Sequence, residues 1–418
     1  MKSNLSKPRM VLMLAALFLS SMCTESDMVI TPIVSSLYDV FSDSPTWLVN
    51  LGITGPAFIG LPFCLLGGWL ADRYDKKKLM VAFFALFTVS STLGAAVQNI
   101  YYFVFMRQLA AGVAWAVTNT VAFAIIADVF VDKKQHSMVV GFYGSATSCM
   151  GALLAMVAGM LATNGGWTSA FATYLISIPV LVLLIVSLPS LPAKAVAASP
   201  AAKAVAKADK GWWKRLMPLM CQAFFICICY FVLVFMPSVY ITDSGIGNEA
   251  FTGIFASLVS IASGVGALFF GVVYMRMKKA VYLPAVFVMA AGFILMALFP
   301  SRAMALLAAV VVGLAWPFYF SYLMVRCTEL VTPDKAGRAT GLISVADGAS
   351  AALSSYAVTG AMQVTGATSS VAIWPLFGIV LAAVGVVSVA WYLRRGRKLS
   401  VGLDPEVREM VAAQAARA

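Results

Sequence analysis

Basic residues alternate along this chain with a period set by its apolar segments. Stretches long enough to cross about 30 Å of hydrocarbon, roughly 20 helical residues each, are the first guide. They recur near 10–36, 46–70, 79–97, 101–127, 138–161, 168–189, 216–238, 250–274, 281–299, 303–326, 338–362 and 371–393. When the connections are numbered, 27 of the 29 Lys and Arg fall at the two termini or in even-numbered loops. Arg302 is the one base in an odd-numbered loop, and Arg107 lies inside a span. Lys and Arg are retained on the cytoplasmic side of short loops. The pattern therefore predicts an all-α integral membrane protein with twelve transmembrane helices. It would be a multi-pass protein of the cytoplasmic (inner) membrane with both termini cytoplasmic.

Composition excludes other classes. Charged residues are 11% of the chain and hydrophobic residues 61%, against roughly 25% charged in soluble proteins. The net charge of +12 is split among short loops beside anionic headgroups, so lipids rather than nucleic acid are the expected partners. All seven cysteines fall in or at the ends of spans, on no metal-binding spacing, and read as small apolar residues. No nucleotide-binding loop, metal cluster or nucleophile–base pair is present, so neither an enzyme nor a cofactor is expected. The first span carries acids at its middle and lacks a small-residue cleavage site, which reads as a retained helix.

A low-complexity run from Pro192 to Lys210, mostly Ala with Lys and Pro, divides the chain. It reads as a cytoplasmic linker. The expected organisation is a six-helix bundle over 1–190, a linker over 191–212, a second bundle over 213–396 and a cytoplasmic tail over 397–418. The halves look related. Gly112-Val-Ala-Trp115 precedes Asp128 by the same interval that separates Gly313-Leu-Ala-Trp316 from Glu329. An even number of helices per half gives a parallel repeat, with a substrate site expected between halves near the midplane.

The loop after the second span, Gly68-Trp-Leu-Ala-Asp72-Arg73-Tyr-Asp75-Lys76-Lys77-Lys78, resembles the G-x-L-x-D-R-x-G-R-[KR]-x signature of the major facilitator superfamily. Asp75 stands where that signature has its second glycine. The equivalent loop, Gly271-Val-Val-Tyr-Met275-Arg276-Met-Lys278-Lys279, keeps the glycine and bases but has Met275 in place of the aspartate. Gly165-Gly166-Trp167 and Phe171 resemble the start of helix six in the drug:proton antiporter branch. Arg107 resembles the arginine of that branch's helix-four signature, with Ala111 at the glycine position. The helix-five signature of the branch is degraded here: its proline is absent and Ala155 and Met160 replace two glycines. The resemblance implies two parallel six-helix bundles, a central cavity lined by helices one, four, seven and ten, and gating by Gly68, Asp72, Arg73 and Arg338. Asp72 would face the start of helix eleven when the inner ends are locked.

Glu25, Asp27, Arg107 and Asp347 cannot be placed at a membrane surface. Each costs about 2.5–3.5 kcal/mol or more at the bilayer centre unless it has a partner or water. These four are the candidate proton-coupling groups. Ser20, Thr24, Asp27, Thr31 and Ser35 fall within about 80° of arc on a helix, a polar stripe suited to a cavity. Glu25 would point away from Asp27 on an unbroken helix, although Pro32 could bend this region. Arg107 and Asp27 lie at nearly equal depth, so they are expected to pair, either structurally or as part of a pathway. Asp347 reads equally as a second proton or cation site and as a group paired at the seam between halves.

Substrate-binding candidates are Thr24, Thr31, Gln222, Trp316 and Tyr319. The cluster Trp316, Phe318, Tyr319, Phe320 and Tyr322 covers more than one helix face, so about half of it must pack elsewhere. The expected activity is secondary transport of a small molecule by alternating access, with protons as the coupling ion and a monomer as the working unit. Acids outnumber bases in the cavity, which favours an amphipathic or cationic substrate, and the resemblance to the drug:proton antiporter branch implies export. Uptake of a small nutrient is the alternative.

Overall fold

The computed structural model describes residues 7–130, 132–192, 211–332, 335–394 and 407. The expected linker therefore lies mostly outside the described residues, as does the tail apart from Val407. The described residues are mostly helical, with short turns and loops between helices, and contain no strand. Twelve helical spans follow in chain order. Span one begins as Lys7–Ser20, passes through 3-10 turns, and ends as Val34–Val40. Span two is Thr46–Ile53 joined to Pro56–Arg73, span three Lys76–Thr92, span four Ile100–Val129, span five Lys133–Gly165 and span six Trp167–Ser187. The second half repeats the series with span seven Trp212–Phe235, span eight Glu249–Met277, span nine Tyr282–Leu298, span ten Arg302–Glu329, span eleven Ala336–Thr365 and span twelve Ser370–Arg394.

By length and hydropathy alone, seven helices qualify as spans, and two bent pairs raise the number to nine. The other three are the 17-residue spans three and nine and the polar-studded span eleven. Their assignment rests on the repeat, which the structure makes concrete. A Cβ on Gly112 would lie 3.2 Å from the Pro56 carbonyl of span two, and one on Gly313 would lie 2.6 Å from the Val259 carbonyl of span eight. Each glycine lets the fourth helix of its half approach the second. In each half, a lysine eight residues past the loop glycine reaches the acid at the end of that fourth helix. Lys76 Nζ is 2.9 Å from Asp128, and Lys279 Nζ is 3.2 Å from Glu329.

The two halves touch mainly at the end away from the basic loops. Thr31 donates to the Val234 carbonyl (3.2 Å), Ser36 to Glu249 (2.9 Å) and Ser257 to the Ala152 carbonyl (2.6 Å). Asn50 donates to Thr359 (3.0 Å) and Tyr356 to the Trp47 carbonyl (3.0 Å). Gly159 of span five meets Gly253 of span eight so closely that a Cβ on Gly253 would lie 2.5 Å from the Ala155 carbonyl. The small residues Ala155 and Gly159 of span five thus make a close helix contact with span eight, as small-residue faces allow. Toward the basic end the halves part. Among the described residues, nothing beyond the local helix lies within 4 Å of a Cβ placed on Gly68, Gly141, Gly271 or Gly341.

Candidate functional site

Span one is not a continuous helix. Short 3-10 turns at Ser21–Cys23, Ser26–Val29 and Thr31–Ile33 replace its middle, and its two arms meet at 54°. Pro32 cannot donate a backbone hydrogen bond, and the Ser20 and Ser21 hydroxyls bond back to the Leu17 and Phe18 carbonyls, which loosens the local ladder. Asp27 sits in this broken segment and pairs with Nη2 of Arg107. The arginine is 2% exposed, whereas the Asp27 side chain keeps 28% of its surface open.

Arg107 is held from its other side by span two. Pro56 has no amide hydrogen, so the Gly52 carbonyl loses its helical partner, and the Ala57 amide turns to Thr54 instead of Ile53. Arg107 Nε donates to the Gly52 carbonyl at 3.2 Å and Nη2 to the Ile53 carbonyl at 3.4 Å. Gln108 donates to the Leu51 carbonyl at 2.9 Å. Directly after Arg107, span four widens into a π-helical turn over Gln108–Ala114, a form that recurs at functional sites.

The Asp27–Arg107 pair borders a cavity of about 520 Å³ between the halves. Spans one, four, seven and ten line it, as the family resemblance implied, and spans two, five, eight and eleven contribute as well. Glu25 lines it beside Asp27, because the break in span one removes the angular offset an unbroken helix would impose. It lies against Gly151, where a Cβ would be 2.7 Å from Glu25 Oε2, and its carboxylate has no ion pair or hydrogen bond among the described residues. Asp347 also faces the cavity, with the Cys227 thiol beside it and a buried Oδ1 lacking a hydrogen-bond partner. Three acids and one base therefore surround this space. Its apolar wall is Trp316, stacked parallel on Tyr230 at 3.6 Å between centroids, with Phe320 at 5.4 Å and the edge of Phe231 at 5.9 Å.

Other expected site residues are dispersed. Thr24 lines the cavity and bonds Asn119 at 3.4 Å. Thr31 is buried at the far seam, between the Val234 carbonyl and the Asp27 carbonyl. Gln222 does not line the cavity; its amide donates to Ser388 of span twelve at 2.7 Å, a contact within the second half. Tyr319 is fully buried and lies outside the cavity lining. Phe318 faces a separate apolar groove, and Tyr322 stacks on Tyr282. Asp72 and Arg338 are exposed at the parted end, Gly68 is half-buried, and the Arg73 guanidinium rests 4.1 Å over the Trp69 ring. Asp72 and Arg338 are not joined by an ion pair. Asn119 is a lining residue that the sequence reading missed, although an amide inside an apolar span is itself a signal. Tyr230 and Ser148 carried none.

The sequence model of the Major Facilitator Superfamily matches residues 10–355 and, in a second overlapping match, 248–412. The chain belongs to the major facilitator superfamily. It is a multi-pass membrane transport protein and not an enzyme. Among curated proteins, the 3-(3-hydroxy-phenyl)propionate transporter of Escherichia coli K12 is 27% identical over 237 residues, which is 53% of this chain and 55% of that protein. The methylenomycin A resistance protein of Bacillus subtilis 168 is 28% identical over 135 residues, or 32% of this chain and 27% of that protein. The alignments thus reach only about half or less of these relatives' lengths. Among solved structures, a bacterial homologue of the human lysosomal transporter Spinster superposes with a TM-score of 0.71 at 15% identity, covering 94% of this chain and 98% of that one. That likeness shows the shared fold.

Proposed function

We propose that this facilitator exports small amphipathic or cationic compounds across the cytoplasmic membrane in exchange for protons, working as a single chain by alternating access. The observation that carries the reading is the set of groups around the cavity. Asp27 is neutralised by a buried arginine, while Glu25 and Asp347 face the same space without a base. Such a cavity favours a cation, and the Trp316–Tyr230 stack supplies a flat π surface against which a cation or aromatic ring is held. A carboxylate that loses its cation and is desolvated takes up a proton more readily, so Asp27 is the coupling group and Arg107 its resident partner. Since the basic loops define the cytoplasmic side, the sealed far end and parted basic end correspond to an inward-facing state. The gating loop is then disengaged, which accounts for the exposure of Asp72 and Arg338.

The test is accumulation of ethidium and tetraphenylphosphonium in cells that express or lack the protein, with and without an uncoupler. Lower accumulation that the uncoupler abolishes is the expected result; equal accumulation in both strains contradicts export of such cations. Proton-coupled uptake of a small nutrient is the second reading. It is favoured by the longer alignment with the 3-(3-hydroxy-phenyl)propionate transporter and by the degraded helix-five signature. Uptake of radiolabelled aromatic acids, stimulated by an inward proton gradient, would establish it instead.

A further inference from the structure

The kink in span two joins two networks. On one side, the carbonyls of Leu51, Gly52 and Ile53 hold Gln108 and Arg107, and Arg107 holds Asp27. On the other, the next residue, Thr54, crosses to the second half. Its hydroxyl lies 2.7 Å from the Ala352 carbonyl and 2.6 Å from the Ser355 hydroxyl, with 3% of its surface exposed. Both bonds seal the far end beside the Asn50–Thr359 contact one turn away. One peptide unit therefore separates an acceptor of the Arg107 guanidinium from a bond that closes the transporter.

We infer that Thr54 is a positioning residue that transmits the charge state of Asp27 to the far-side closure, through Arg107 and the span-two kink, onto span eleven. The step rests on the proposed role of Asp27 as the proton-carrying group. The physical reason is the placement of Arg107. It is buried, its Nη1 already lacks a hydrogen-bond partner, and Asp27 is its one anionic contact among the described residues. When Asp27 is neutral, the guanidinium keeps only the kink carbonyls, an uncompensated charge in an apolar region. Relief comes by moving toward water in the cavity, and the kink moves with it because the Gly52 and Ile53 carbonyls have no other helical donors. Thr54 must then shift against Ala352 and Ser355. The groups facing Asp27 that contribute to this balance are Glu25 and Cys23 from span one, Arg107 from span four and Tyr174 from span six. Span eleven receives the shift two turns beyond Asp347, so the same helix carries the cavity's second unpaired acid.

Spin labels at Gln98→Cys in the first half and Val364→Cys in the second report the far-end separation by pulsed dipolar spectroscopy. The full chain is placed in nanodiscs, in a background whose seven native cysteines are replaced and which retains transport. The parent should give short distances at alkaline pH and gain a longer population on acidification. Asp27→Asn should show the longer population at every pH. Thr54→Val, and separately Ser355→Ala, should shift to longer distances and lose most of the pH response, while proton binding measured in weak buffer persists. If Thr54→Val and Ser355→Ala both follow the parent at all pH values, the inference is overturned while the role of Asp27 stands. If Asp27→Asn itself follows the parent, the reading of Asp27 fails and takes the inference with it.

Discussion

Arg107 has more than one structural task, and its substitutions separate them. Removing it leaves Asp27 as an uncompensated anion and frees the Gly52 and Ile53 carbonyls, so Arg107→Ala should lower stability by about 3–5 kcal/mol. Thermal unfolding of the purified protein in detergent reads this directly. Arg107→Lys should recover little, because a single ammonium cannot span the carboxylate and both carbonyls as the planar fork does. At the membrane surface, Asp75 explains its own departure from the loop signature. It caps span three, accepting from the Lys78 amide at 3.1 Å and from the Ser190 hydroxyl. Although desolvation pushes its carboxyl upward, the bonds from Ser190, Lys78 and Lys77 win and hold it below the usual aspartate range. A lowered folded value means the cap stabilises above the ordinary aspartate pKa and is lost as pH falls through the lowered value. Asp75→Ala should cost about 0.5–2 kcal/mol at neutral pH and much less in acid, measured by unfolding across a pH series.

At the scale of elements, the meeting of spans five and eight makes closure of the far end possible. A methyl group on Gly253 would sit 2.5 Å from the Ala155 carbonyl, and backbone cannot yield at that distance without moving the helices apart. Gly253→Ala should therefore disfavour the closed far end, seen as faster labelling of a cysteine at Ser35 by an impermeant maleimide. Unchanged labelling would mean that the halves meet elsewhere. The elements also show how far the sequence was readable. Apolar length and basic parity located all twelve spans, and the repeat glycines Gly112 and Gly313 proved to pack alike. Depth along straight helices was enough to bring Asp27 to Arg107. It failed for Glu25, because the break in span one depends on a run of hydroxyls and Pro32 acting together. It failed also for Gln222, since a lone amide on a helix looks the same whether it faces a cavity or, as here, Ser388. Tyr230 was invisible because its place depends on the facing Trp316, a contact between helices far apart in sequence.

For the whole molecule, the account links charge placement in the loops, the repeat and the cavity to one alternating-access cycle. Sidedness is its foundation. In a cysteine-free background, single cysteines at Ser42, Asn164 and Gly247 should react with an impermeant maleimide in intact cells, whereas those at Ala198 and Ala412 should not. The opposite pattern would reverse the assignment of the sealed end. Coupling is the central claim, and proton exchange by purified protein in weakly buffered detergent tests it most directly. Adding ethidium to the parent should release protons, because the cation and the proton compete for a cavity whose acids outnumber its bases. Asp27→Asn should bind ethidium and release almost none. An Asp27→Asn variant that releases protons as the parent does would contradict the account.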